Sequence, residues 1–155
     1  MIYSQKRSTL RRRIAAVLAG VLACGIIHAH HSFAKFDSRK LITVKGTVDE
    51  WVWRNPHAWI YIIVTKKDGT MERWALECGS PNMMSRWGWN AADLRVGDKI
   101  TVDALPSRDG QHVAAVRHVF LPNGKVLVDP TGEPPDTFAT GPKNVPTQPK
   151  GEAYQ

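Results

Sequence analysis

Hydrophobic and polar residues alternate through the middle of the chain with the spacing of β-strands. The stretch LITVKGTVDEWVW, residues 41–53, places Val44, Val48 and Val52 on one side of an alternating pattern. This is the period of a strand that buries one face. Gly46 interrupts the pattern where a long strand would need to bend. The pattern therefore predicts a long first strand, bent at this glycine.

Further strands follow, and one short helix separates them. The predicted strands are 58–65, 71–78, 99–105 and 113–121, and the short pair LPNGKVLV closes the domain. Asp68-Gly69 is a hairpin signal between the second and third strands. Ser80 can serve as an N-cap, Pro81 suits the first helical position and Gly88 can end the helix.

The order of these elements predicts the fold class. Three strands, a helix and two more strands, with a long bent first strand, are typical of a five-stranded OB-type barrel. We therefore predict an all-β domain with one short helix, closed as a small OB-like barrel over residues 41–128. Closure removes the sheet edges that would invite aggregation. An open antiparallel β-sandwich is the alternative.

The start of the chain has the composition of a signal peptide. Residues 1–29 carry five basic residues and no acidic one, and from 14 to 27 every residue is apolar, glycine or cysteine. This apolar run is too short for a spanning helix of about 20 residues. We predict cleavage after Ala29 and a periplasmic or secreted protein. The alternative is a lipoprotein anchored through Cys24.

The composition changes again outside the predicted barrel. Residues 129–155 contain six prolines and few apolar side chains, so we predict a disordered tail. Residues 30–40 form an N-terminal arm. Without the leader, 16 basic residues face 14 acidic ones. Net charge therefore gives no argument for nucleic acid, and export argues against that partner.

Cleavage after Ala29 would give His30 a free α-amine beside its own imidazole. The pKa of such an amine is about 7.7 to 8.0, against about 10.4 for lysine, so it can bind a metal near neutral pH. Nitrogen donors in a plane suit Cu(II) better than tetrahedral Zn(II). We predict a copper site at His30, with His31 and His57 as partners. His112 is a further candidate for the third donor.

Four aromatic residues flank the connection between the first two strands. Trp51 and Trp53 share one face of the first strand, and Trp59 and Tyr61 share one face of the second. If Trp53 opposes Trp59, the four rings form a platform that the phenylalanines of the arm could cover. Such a platform would bind a glycan, a peptide or another envelope protein. The alternative is that the rings pack a second small core under the arm or the helix.

Catalytic signals are weak. Cys78 has no histidine beside it in sequence to act as a base, so we expect a buried, inert thiol. Asp49 and Glu50 should point to opposite faces of their strand and cannot act as a pair. There is no phosphate loop, HExxH or CxxC motif. We therefore expect a binding protein and not an enzyme.

The combination of HHSFAKFD, GTVDEWVWRNPHAW, WALECGSPNMMSRWGW and LRVGDKITV resembles a family of short exported bacterial proteins of unknown function. The resemblance covers about residues 30–128. It implies a leader that ends just before His30, but no activity. The motif positions it singles out are His30, His31, Asn55, Pro56, His57, Trp59, Ser80, Pro81 and Asn82.

Overall fold

The computed structural model describes residues 33–132, 141–142 and 144–154. The expected signal peptide, His30 and His31 lie outside the described residues. The chain divides into residues 1–34 and residues 35–155, and the architecture below is that of the second unit. Among the helices of the described part, none has the length and apolar character needed to cross a membrane.

The described residues form seven strands and one α-helix. The strands are β1 (Ile42–Val52), β2 (Trp59–Thr65), β3 (Met71–Glu77), β4 (Lys99–Pro106), β5 (Val113–Phe120), β6 (Val126–Val128) and β7 (Glu152–Ala153). The helix α1 (Pro81–Arg86) lies between β3 and β4. Short 3-10 turns span Phe33–Lys35, Ala91–Asp93 and Pro130–Gly132.

The first five strands close into a barrel. β1 pairs antiparallel with β2 on one side and with β4 on the other, while β3 pairs with β2 and, in parallel, with β5. β4 and β5 complete the circuit as an antiparallel pair. This strand order is that of an OB barrel. The predicted OB-like barrel is confirmed, and the sheet does not stay open as a sandwich.

β1 serves two neighbours because it changes partner along its length. The half from Ile42 to Thr47 pairs with β4, and the half from Thr47 to Val52 pairs with β2. A Cβ at Gly46 would lie 2.7 Å from the carbonyl oxygen of Ile63. No side chain fits there without moving the backbone of β2, so glycine is required where the two strands approach closely.

The helix is capped as its sequence predicts. The Ser80 side chain accepts a hydrogen bond from the Met83 amide, Pro81 is the first helical residue, and Gly88 has a φ of +85° just beyond the last turn. Met84 of this helix is fully buried with the inner faces of the strands in one core. The helix therefore helps to cover the barrel interior.

A second, smaller core lies under the start of the arm. Phe36 is buried with Leu105 and Ala115, and Leu41 and Val113 pack against them. The arm is held by main-chain contacts, since the Asp37 amide donates to the Pro106 carbonyl at 2.9 Å. The start of the arm therefore covers a small core formed with aliphatic residues, whereas Trp51 and Trp53 pack against the main core.

Two pieces of the predicted disordered tail are packed on the barrel. Asp129 is buried, and β7 pairs in parallel with Ile42 and Thr43 of β1. These contacts use main-chain amides, the buried carboxylates of Asp129 and Asp103, and the ring of Tyr154. Because apolar side chains contribute little to these contacts, the proline-rich composition of the tail does not predict the contacts.

Candidate functional site

A buried carboxylate links His57 to the arm on the outside of the barrel. Glu77 is 6 % exposed, and its Oε1 lies 2.6 Å from His57 Nδ1. Its Oε2 forms an ion pair with the Lys35 ammonium at 2.8 Å. The geometry of this contact is not that of a regular hydrogen bond. When the imidazole is neutral, donation from Nδ1 to Glu77 leaves the lone pair of Nε2 available. The arrangement can therefore present a metal-binding nitrogen.

The ladder between β2 and β3 fixes this geometry. Trp59 pairs with Glu77, and one residue earlier the Ala58 amide donates to the Gly79 carbonyl at 3.0 Å. The Cys78 amide donates in return to the Ala58 carbonyl at 2.9 Å. His57 therefore directly precedes a hydrogen-bonded segment of backbone, and 35 % of its side chain remains exposed.

Lys35 places the described start of the arm at the same site. Its ammonium lies 5.5 Å from the centre of the Trp59 ring and 4.8 Å from that of Phe36. The Glu77 carboxylate therefore lies between the Lys35 ammonium and His57. From Lys35 onward the arm therefore lies on the barrel close to His57.

The four predicted aromatic ligands form two pairs and not one platform. Trp51 and Trp53 have ring centres 5.3 Å apart, whereas Trp59 and Tyr61 stack at 6.2 Å. Trp51 lies opposite the buried Ile60, so it shares the inner face of the sheet, and Trp59 must face outward. The expected pairing of Trp53 with Trp59 is wrong by one residue, which moves a side chain to the other face.

The outward pair lies beside an arginine that sequence reasoning missed. The Arg73 guanidinium is 4.1 Å from the centre of the Tyr61 ring. It also contacts Asp49 at 2.7 Å and Glu50 at 2.9 Å. The expectation that these two acids point to opposite faces is wrong, because a register shift between Val48 and Glu50 interrupts the alternation.

The other histidine candidate for the copper site lies in a different cluster. His112 Nε2 is 3.4 Å from Glu72 Oε2 and 3.3 Å from the Tyr154 hydroxyl. Within residues 33–132, 141–142 and 144–154, no group of three or more histidine, cysteine, aspartate or glutamate side chains could hold a metal ion. The described part of the chain therefore supplies His57 alone to the predicted site.

Cys78 is expected to resist thiol reagents until the protein unfolds. The side chain is buried, and burial, with the carboxylates of Asp129 and Glu77, raises the pKa of its thiol well above the usual range. The thiolate that reacts is therefore scarce and shielded. Mass spectrometry of a chain beginning at His30, treated with iodoacetamide at pH 8, should show no adduct in buffer and one in urea. Rapid alkylation in buffer would show that the thiol is accessible.

The chain is similar to a family of unknown function and, more distantly, to one solved structure. A family model described as a family of unknown function, DUF6152, matches residues 19–116. No curated protein matches the chain. The mitochondrial single-stranded DNA binding protein Rim1 of S. cerevisiae is similar in structure with a TM-score of 0.41 and 11 % identity, over 61 % of this chain and 96 % of that one.

Proposed function

The chain belongs to the family of unknown function DUF6152, and from its own residues we propose an exported binding protein in which His57 is one ligand of a Cu(II) site. The observation that carries the proposal is the 2.6 Å contact between His57 Nδ1 and the buried Glu77 carboxylate. In this proposal the protein is periplasmic or secreted, after removal of residues 1–29.

The contact is the arrangement that metal-binding histidines usually have. A carboxylate that accepts from one ring nitrogen fixes the tautomer, orients the ring and makes the other nitrogen a better donor. Lys35 compensates the charge of Glu77 at 2.8 Å, which lowers the cost of keeping a carboxylate buried. Glu77 can therefore hold His57 in a position to bind a metal.

The remaining donors are those that the sequence predicts. They are the α-amine and imidazole of His30 and the imidazole of His31, five and four residues before Lys35. An extended chain covers at most about 3.6 Å per residue, so five residues can span up to about 18 Å. Amine and imidazole nitrogens favour Cu(II) over the other divalent ions of the first transition row.

Calorimetric titration with Cu(II) tests the proposal, once intact mass has located the N-terminus of the exported protein at His30. The chain that begins at His30 should bind Cu(II). A chain with one additional N-terminal alanine and a His57→Gln chain should each bind at least tenfold more weakly. His112→Gln is the matched control and should bind like the unaltered chain. Equal affinity in all four chains, or no binding by the first, would refute the site.

The outward aromatic pair supports a second candidate function. Trp59 and Tyr61 are half-buried and stack with an interplanar angle of 19°, on the barrel wall that OB folds use for oligomeric ligands. In this alternative they bind a glycan or another envelope protein. Trp59→Ala should then abolish retention on an immobilised glycan and leave Cu(II) affinity unchanged, whereas retention without the Trp59 ring would exclude this surface.

A further inference from the structure

The last residues of the chain fill a slot in the barrel wall as a bound peptide would. We call residues 150–154 the tail segment and the surface that receives it the tail slot. The slot is formed by the start of β1, Asp103 of β4, Glu72 and Trp74 of β3, and His112. Because β7 pairs in parallel with β1, the tail segment joins the sheet by strand addition.

Main-chain groups hold one end of the tail segment. The amides of Lys150 and Gly151 donate to the Asp103 carboxylate at 2.8 and 3.3 Å, and the Thr43 hydroxyl donates to it at 2.6 Å. Asp103 is fully buried. An empty slot would deprive this carboxylate of two donors, which is costly for a buried charge. The slot is thus complementary to an occupant with two free amides.

The slot also selects for glycine. A Cβ at position 151 would lie 2.7 Å from the carbonyl oxygen of Ile42 and 2.7 Å from the amide of Thr43. Both atoms belong to the backbone of β1, which cannot move without disturbing its pairing with β4. An occupant with any side chain at this position would therefore be excluded.

A tyrosine three residues later fills the other end. The Tyr154 ring packs edge-on against Trp74 with ring centres 4.7 Å apart, and its hydroxyl donates to Glu72 at 2.8 Å. Lys66 forms an ion pair with the same carboxylate. The slot therefore favours a peptide in which a glycine is followed, three residues later, by a tyrosine.

Nothing in these contacts depends on the tail segment belonging to the same molecule. Residues 133–149, with five prolines, join it to the barrel. At about 3.1 Å per residue such a segment can extend about 50 Å, whereas a 100-residue domain has a radius of gyration of about 13 Å. We propose that the tail slot is a peptide-binding site that also takes the tail segment of a second copy of this chain.

The molecule's own tail segment competes with the incoming one. A linked ligand acts at an effective concentration in the millimolar range, so the slot of an unaltered chain is filled at micromolar protein. Binding of a tail segment to the slot of another molecule can therefore be detected when one chain has a tail segment that does not fit and the other has a slot that does not bind.

Two full-length variants make this test. Gly151→Ala keeps an intact slot, but its tail segment no longer fits a slot. Asp103→Asn keeps an intact tail segment, but its slot presents a side-chain amide, in place of a carboxylate, to the main-chain amides of the tail segment. In analytical ultracentrifugation each should be monomeric alone, and the mixture should form a one-to-one complex. Glu152→Ala, at an exposed position, is the matched control and should not associate with either variant. A mixture that stays monomeric while both variants are folded would overturn the proposal.

A peptide titration keeps the test decisive if Asp103→Asn fails to fold. The labelled peptide QPKGEAYQ should bind Gly151→Ala at least tenfold more tightly than it binds the unaltered chain. The same peptide with alanine in place of glycine should bind neither chain. Tyr154→Ala is a second acceptor chain if Gly151→Ala is itself unstable. Equal binding to acceptor and unaltered chains, or no binding to any acceptor, would overturn the proposal.

Discussion

Replacing Glu77 with alanine is expected to weaken Cu(II) binding about ten- to a hundredfold, the usual effect of losing the carboxylate behind a metal-binding histidine. The Nδ1 atom of His57 would lose its acceptor at 2.6 Å, so the ring would no longer be held in one tautomer and orientation. Lys35 would lose its partner at 2.8 Å. Calorimetry on a chain that begins at His30 measures the change.

Glu77→Gln is the matched control for this prediction. A glutamine carbonyl can still accept from His57 Nδ1, but it carries no charge to pair with Lys35. We expect its Cu(II) affinity to lie between those of the unaltered chain and Glu77→Ala. If a folded Glu77→Ala chain binds Cu(II) as tightly as the unaltered chain, Glu77 does not position a ligand.

Replacing Trp89 with alanine is expected to lower the free energy of unfolding by about 3 to 5 kcal/mol, the range for removing a large aromatic ring from a core. Trp89 is 2 % exposed, and its ring centre lies 6.3 Å from that of Trp51. Its indole nitrogen donates to the Val128 carbonyl at 2.8 Å. The ring therefore joins β6 to the end of β1, and urea unfolding measures its loss.

Trp89→Phe separates the two contributions of this side chain. Phenylalanine keeps most of the ring volume but cannot donate to Val128, so we expect a loss of about 1 to 3 kcal/mol from the unpaired buried carbonyl and the smaller ring. A loss equal to that of Trp89→Ala would assign the whole effect to the hydrogen bond. A change below about 1 kcal/mol in Trp89→Ala would contradict the packing described.

The strands and the helix could be predicted from sequence because their signals are local. Alternation identifies the buried face of β1 as far as Val48, before the register shift. The order Ser80, Pro81 and Gly88 predicts the cap, the first turn and the end of α1. The close approach at Gly46 belongs to this group too, since a glycine inside a strand pattern has few other causes. Together these features are enough to predict the OB-like barrel.

The site could be predicted only in part, because it depends on register between strands. Period-2 alternation shows which residues of one strand share a face, but not which residue of the next strand lies opposite. Trp51 therefore meets Ile60, and the expected aromatic platform divides into two pairs. Glu77 carries no local signal at all, since its role arises from the pairing with Trp59 that brings His57 beside it.

The tail shows a different limit. Composition describes how much apolar surface a segment can bury, and by that measure residues 129–155 should not fold. Asp103 binds the main-chain amides of Lys150 and Gly151, and no apolar side chain takes part in these two hydrogen bonds. An interaction made by main-chain atoms leaves almost no trace in the sequence of the segment that makes it.

Electron paramagnetic resonance of the Cu(II)-loaded chain tests most directly whether His57 is a metal ligand. We predict nitrogen hyperfine splitting from the amine of His30 and the imidazoles of His30, His31 and His57, and one nitrogen fewer in His57→Gln. His112→Gln should give the spectrum of the unaltered chain. An identical spectrum from His57→Gln and the unaltered chain would show that the imidazole held by Glu77 does not bind the metal.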